Sequence, residues 1–317
     1  MQRLDLTAYL APAQHQEALL AELSDVVHVY GDLVLATGSA QASHWAKNVW
    51  SEVFEFQAAS IRDTAHQLCS LQRNWWPYCY HLHRRAALIQ AALPHVKARP
   101  LSFPEPAPRA PLGSFTLISE QRVLCSPNCS SPFPNGEAQF LEFNETEGPP
   151  SRAYLKLFEA LTQLGALPEA GQRCLELGAS PGGWTWALAK LGARVLAVDR
   201  APLAKDVAAM PGVETLQGNA FTATPDQIGA VDWLFSDVIC YPEKLFRHIQ
   251  LWLDSGLCQR FVCTLKFQGE DYSAVKLFDQ LPGGRVVHLS HNRHELTFLR
   301  LPAEDTLLSR AARSGWR

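Results

Sequence analysis

No run of about 20 apolar residues occurs in this 317-residue chain. Charge interrupts its longest apolar stretches within about ten residues, so the sequence predicts no membrane-spanning helix. The opening residues, MQRLDLTAYL, lack a basic flank followed by a long apolar core. No secretory leader is therefore evident, and the expected location is cytoplasmic. Cysteine is sparse, at eight residues. Cys174, Cys258 and Cys263 sit in apolar surroundings and read as buried thiols of a reducing compartment, not a disulfide framework. Cys69, Cys79, His81, His83 and the pair Cys125 and Cys129 lack the two compact ligand pairs of a structural zinc site, so no metal is expected. No Gly-x-Ser-x-Gly elbow follows a strand, which argues against a serine hydrolase. Positive charge is not in excess. The formal net charge of −3 argues against a generally basic nucleic-acid binder.

The charge is unevenly placed. Residues 1–150 hold 10 Lys and Arg against 14 Asp and Glu, whereas residues 151–317 hold 18 against 17. Within 62–99, Arg62, Arg73, Arg84, Arg85, Lys97 and Arg99 face Asp63 alone, among Trp75, Trp76, Tyr78 and Tyr80. Basic residues interleaved with aromatics can grip a phosphate backbone and stack on bases. The same pattern also describes a solvated helix face over core aromatics. Glu137, Glu142, Glu145 and Glu147 form an acidic stretch unsuited to RNA.

Patterning divides the chain into three. Residues 1–99 read as a small α+β domain, ferredoxin-like or a reduced RNA-presenting unit. It has a strand over 4–10, a helix over 15–23, a hairpin over 26–36 and a helix over 84–95. Residues 100–149 read as a Pro-rich linker with connecting strands, because five prolines fall between Pro100 and Pro111. Residues 150–317 read as alternating helix and strand. A helix over 152–164 is followed by strands at 173–177, 194–198, 213–216, 232–236, 260–265, 285–289 and 295–301. Helices are expected at 184–191, 202–209, 243–254 and 271–280. Seven strands with interposed helices predict a seven-stranded, doubly wound, Rossmann-like α/β sheet. The short link 290–293 makes the last strand antiparallel.

The most informative stretch is Leu175-Glu-Leu-Gly-Ala-Ser-Pro-Gly-Gly183. An apolar strand stops at a turn with Gly178, Gly182 and Gly183, a helix follows, and a second strand ends in Asp199. In an open parallel sheet this order builds the crevice for an adenosine-bearing cofactor, with the acid accepting from ribose hydroxyls. The turn is Gly-x-x-x-Gly-Gly, not Gly-x-Gly-x-x-Gly, and Pro181 removes an N–H that a pyrophosphate would want. The loop suits the zwitterionic methionine of S-adenosylmethionine (SAM). Four ionisable residues then stand at the ends of elements: Lys156 before the sheet, Asp237 and Lys266 at strand ends, and Glu295 opening the reversed strand. All four are expected at the carboxyl edge of the sheet.

This set resembles the Lys-Asp-Lys-Glu tetrad of FtsJ-type ribose 2′-O-methyltransferases. The resemblance is carried also by Ser130-Ser-Pro-Phe133, Pro150-Ser-Arg-Ala-Tyr-Leu-Lys-Leu157, Leu177-Gly-Ala-Ser-Pro-Gly-Gly-Trp-Thr185, Ala197-Val-Asp199 and Leu265-Lys266. These segments are most similar to the RlmM-like branch that acts on large-subunit rRNA, and the likeness covers residues 122–301. It implies a SAM-dependent methyltransferase domain over 150–317 and an RNA partner, large-subunit rRNA. It implies catalytic roles for Lys156, Asp237, Lys266 and Glu295, with Lys266 as general base. Cofactor contacts are implied for Gly178, Ser180, Pro181, Gly182, Gly183, Trp184, Asp199, Asn219 and Asp237. Asn219 stands where the family has an acid, although its carbonyl can still accept from an adenine amine. Ser180 replaces a cysteine of the nearer relatives, and the N-terminal region is short for a ferredoxin-like segment plus an RNA-binding module. The chemistry is coherent, because a ribose hydroxyl must be aligned with the methyl group and lose one proton. Lysine serves as base if burial and a second cation, here Lys156, lower its pKa, a shift the two acids oppose. The alternative is a catalytically silent RNA-binding protein that retains the fold.

Overall fold

A computed structural model describes residues 1–141 and 148–305. They fall into two compact units: Met1–Leu101 with Ala107–Gln139, and Ser102–Pro106 with the chain from Phe140 onward. Glu142, Glu145 and Glu147 of the acidic stretch, and residues 306–317, lie outside the described residues. Among the described residues no helix is long and apolar enough to cross a membrane.

The elements of the first unit are β1 (Gln2–Arg3), β2 (Leu6–Leu10), α1 (Gln16–Glu22), β3 (Val26–Tyr30), β4 (Leu33–Thr37), β5 (Asn48–Trp50), β6 (Phe54–Gln57), α2 (Ile61–Leu71), β7 (Trp75–Pro77), α3 (His83–Ala92), β8 (Gly113–Leu117) and β9 (Arg122–Ser126). Strands β3-β4-β2-β5 make an antiparallel sheet, with a loop where the second helix of a βαββαβ unit would stand. Strands β1-β6-β9-β8-β7 make a second sheet, antiparallel except for β7 beside β8. Helices α2 and α3 contribute Leu68, Ala86 and Ile89 to its core, with Trp75, Phe115 and Val123. The expected linker over 100–149 is therefore corrected. Strands β8 and β9 are almost wholly buried and β9 is central in this sheet, so Ala107–Gln139 belongs to the first unit. Within the Pro-rich stretch, Phe103 stacks on Phe158 of the second unit's own first helix, 3.7 Å between centroids. Proline forbids a ladder there, but an aromatic side chain can still be seated.

The second unit runs α4 (Tyr154–Leu164), β10 (Arg173–Leu177), α5 (Gly183–Lys190), β11 (Arg194–Asp199), α6 (Lys205–Ala208), β12 (Val213–Gln217), α7 (Pro225–Ile228), β13 (Trp233–Ser236), α8 (Pro242–Ser255), β14 (Phe261–Lys266), α9 (Val275–Phe278), β15 (Gly284–Val287) and β16 (Glu295–Arg300). Its seven strands lie in the order β12-β11-β10-β13-β14-β16-β15, with β16 antiparallel to both neighbours. Central strands read as near-continuous apolar runs because helices cover both faces, as in Phe261-Val-Cys-Thr-Leu265. Edge strand β12 is polar and exposed, which discourages pairing with another chain. Helix α8 starts at Pro242 in its first turn and stops at Gly256 with φ 71°. It buries Leu245, His248, Ile249 and Trp252 on one stripe. Each of its three apolar residues is worth roughly 1.5–3 kcal/mol of burial.

Two expected helices shrink to single turns, α6 and α9. Pro202 and Pro211 bracket the first, and Pro282 closes the segment after the second. Chain order reverses between β10 and β13, and this switch point opens a crevice at their carboxyl ends.

Candidate active site

Loops meet at the switch point with no space for side chains. Gly178 follows β10 with φ +78°, and a Cβ there would lie 2.6 Å from the Val238 Cα. The register explains the meeting, since Leu177 pairs with Ser236 and the next residues of both strands enter the same crevice. Gly182 has φ +112° at the start of α5, and a Cβ on it would meet Val207 at 2.9 Å. A Cβ on Gly183 would strike the Ser151 hydroxyl. Asp199 ends β11 and ties the turn in place. Its two carboxylate oxygens accept from the N–H groups of Ser180 and Ala201, each at 2.9 Å. Each oxygen keeps a second lone pair.

A cradle that a Cβ would fill, an acid with spare acceptor capacity, and Pro181 in place of an N–H together fit the adenosine and amino-acid parts of SAM.

Not every residue expected to touch the cofactor offers its side chain. Trp184 is only 2% exposed, donates from Nε1 to the Ala153 carbonyl at 2.8 Å, and packs edge-on to Phe235. It anchors α5 in the core, so its indole is not offered to the crevice. The Ser180 hydroxyl donates to the Pro202 carbonyl at 2.9 Å. The Asn219 side-chain oxygen accepts from the Phe221 N–H at 3.2 Å, capping the 3-10 turn Ala220–Thr222. The oxygen expected to meet an adenine amine thus already has one local donor.

The four ionisable residues do come together. Lys156 arrives from α4, Asp237 follows β13, and Lys266 ends β14 directly opposite Glu295 across the β14–β16 ladder. A slip of one residue would send that pair to opposite faces. Asp237 Oδ1 lies 3.2 Å from Lys156 Nζ and 2.9 Å from Lys266 Nζ. Glu295 contacts Lys156 through Oε1 and lies 3.6 Å from Lys266 Nζ through Oε2. Each lysine therefore sees both acids. The side chain of Lys156 is 8% exposed and that of Lys266 24%, so Lys266 is the more open to a ligand.

Burial works against the charge on Lys266, but Asp237 and Glu295 outweigh it and hold the ammonium above the ordinary lysine value. Burial also opposes the Asp237 carboxylate, and here Lys156 and Lys266 prevail, holding it below the usual range. In the free protein Lys266 is thus held as a cation and Asp237 as an anion. The neighbouring cation Lys156 does not bring Lys266 down, because Asp237 and Glu295 decide the sign of its shift.

Two further acids carry the frame and were missed from sequence. Glu159 lies one turn beyond Lys156 on α4 and is only 1% exposed. It accepts from the Ser290 N–H (2.8 Å) and hydroxyl (2.9 Å), and from the His291 N–H (3.3 Å), with His291 Nδ1 at 3.0 Å. It thereby clamps the link that delivers Glu295 to the helix that carries Lys156. An acid amid the apolar stripe Tyr154-Leu155-Leu157-Phe158-Leu161 was the available signal. Glu176, under the glycine turn, accepts from the Thr185 hydroxyl at 2.6 Å. Burial pushes its carboxyl up to about 8, against the opposing Thr185 hydrogen bond.

Known proteins with similar sequences bear on this geometry. Residues 149–288 match the FtsJ-like methyltransferase family. A "ribosomal RNA large subunit methyltransferase M" of Azoarcus sp. (strain BH72) is 40% identical over 123 residues, 37% of this chain and 33% of that protein. The protein of that name from Aromatoleum aromaticum is 35% identical over 164 residues, 46% of this chain and 44% of its own length. The one from Xanthomonas oryzae pv. oryzae (strain PXO99A) is 30% identical over 227 residues, covering 66% and 64%. The matches thus span from one third to under two thirds of these relatives' length.

Proposed function

From the FtsJ-like methyltransferase match of residues 149–288, we propose that this chain methylates a ribose 2′-hydroxyl of RNA, large-subunit rRNA above all, with SAM as donor. The observation that carries the reading is the meeting of Lys156, Asp237, Lys266 and Glu295, from four separate elements, beside the Gly178 turn. Bound SAM supplies an activated methyl group on a sulfonium.

The chain itself has three tasks. The backbone of Gly178–Gly183 and the carboxylate of Asp199 hold the cofactor, with Asn219 and Asp237 flanking it. Lys156, the more buried amine, and Glu295 fix the substrate hydroxyl by hydrogen bonds. Lys266 removes the hydroxyl proton onto Nζ. It must first shed its own proton to solvent as the RNA docks, and desolvation favours that release, since burial already acts in this direction. Asp237 and Glu295 orient both amines, and they stabilise the ammonium that proton transfer regenerates. Correct alignment supplies much of the acceleration and the positioned base a further 10²–10⁴-fold, both order-of-magnitude values.

The test is transfer of labelled methyl from SAM to rRNA by the purified protein, followed by nuclease digestion and identification of the labelled nucleoside. Label on a ribose 2′-oxygen supports the reading. Label on a base, or RNA binding without transfer, contradicts it.

A further inference from the structure

The loop that follows Asp237 exposes a surface that the tetrad and the glycine turn do not use. The chain leaves Val238 as Ile239-Cys240-Tyr241 before Pro242 opens α8. Ile239 is 84% exposed and Tyr241 60% exposed, and Leu251 on α8 is exposed as well. Large apolar side chains clustered at a surface mark interaction sites. Tyr241, Lys244, Arg247 and Leu251 line an open cleft of about 670 Å³ together with Phe221. The Lys244 ammonium sits 4.2 Å from the centroid of the Phe221 ring. Lys244 and Arg247 are exposed and three residues apart, so they share one side of the helix. Glu243 is the one acid among the lining residues, which leaves the cleft with a net positive charge.

Aromatic and aliphatic faces edged by cations are what an unpaired nucleotide requires. The base stacks on the rings and the phosphate meets the cations. We propose that this cleft seats an unpaired ribonucleotide beside the one that is methylated, its base against Tyr241 and Leu251 and its phosphate on Lys244 and Arg247. Tyr241, at the edge of the cleft, stands four residues after Asp237, so the loop that leaves the tetrad leads into the cleft. Unstacking a neighbour on Tyr241 would free the target ribose for alignment. The proposal rests on the RNA-methylation reading and deepens it by naming single-stranded RNA as the form recognised.

The experiment measures equilibrium binding by the full chain, without turnover. The probes are a single-stranded oligoribonucleotide of large-subunit rRNA sequence, the same oligonucleotide in duplex, and SAM alone. Tyr241→Ala is expected to weaken single-strand binding about tenfold with little change in salt dependence. Lys244→Ala and Arg247→Ala are each expected to flatten the plot of log affinity against log salt by about 0.7. SAM affinity is expected to hold within about twofold in all three. Single-strand affinities within twofold of wild type, an equal loss on duplex RNA, or a loss that falls on SAM would each overturn the proposal. Because binding is read apart from transfer, the two claims fail separately. A wild-type protein that binds through the cleft yet transfers no methyl defeats only the methylation reading.

Discussion

Replacing Glu159 removes an acceptor for five donors at once and tests whether this acid holds the frame of the site. In Glu159→Ala the Ser290 N–H and hydroxyl, the His291 N–H and Nδ1, and the Gln163 side-chain amide lose their shared partner. Hydrogen bonds to a charged acceptor are worth about 1.5–3 kcal/mol each, but they are not additive. The His291 side chain is 28% exposed, so water recovers part of its loss. Breaking a buried charged contact by deleting one partner costs about 3–5 kcal/mol, the figure expected here. For a domain of this size each kcal/mol shifts Tm by roughly 2–4 °C, so Tm should fall by about 6–20 °C. Glu159→Gln keeps a carbonyl acceptor and should fall in between. Thermal unfolding followed by circular dichroism, with ligand-free protein, reads the effect. The released 290–291 link should also let Glu295 drift from Lys156, lowering kcat more than it raises the KM for RNA. A Tm within about 2 °C of wild type in Glu159→Ala would refute the clamp.

Gly178→Ala puts a Cβ against Val238 at a positive φ, so it should cost about 2 kcal/mol or more and weaken SAM binding, read by calorimetry. Glu176 has a raised native pKa, about 8, so between its unfolded value near 4.3 and that value the native state binds more protons than the unfolded state. Stability should therefore fall as pH rises across that window, and Glu176→Gln should lose less stability between pH 6 and 8.5 in urea titrations. Lys266 titrates above the ordinary lysine value in the free protein, so kcat/KM should climb with pH through neutrality. A plateau reached by pH 8 would contradict its role as base. The same shift makes the Lys266 ion pairs a source of stability that is complete below the unfolded lysine value and lost as pH rises through the native one.

Much of the second unit was legible because its signals are local. Strands buried on both faces read as unbroken apolar runs, the glycine turn punctuates them, and Asp199, Asp237 and Lys266 stand at strand ends. The link 290–293 is too short for a crossover, which identified the reversed strand and placed Glu295 on the right edge. Other features depend on partners remote in sequence. The Trp184 indole finds the Ala153 carbonyl, and the Asn219 oxygen a donor within its own turn, and neither partner is written in the spacing of the motif. Glu159 is a charge in an apolar stripe, and only the 290–291 link makes it satisfied. Proline density hid the first unit's extent, since Gly113–Leu117 and Arg122–Ser126 are recognisable as core strands only through β6 and β7. The sign of the Lys266 shift depends on distances of 2.9 and 3.6 Å that no sequence spacing encodes.

The central claim is that one amine takes the proton from the ribose hydroxyl. Its most direct test is single-turnover methyl transfer to rRNA by Lys266→Ala, with SAM and RNA affinities measured on the same protein. The transfer rate should fall about 100-fold or more with both ligands still bound. Transfer at the wild-type rate would contradict it.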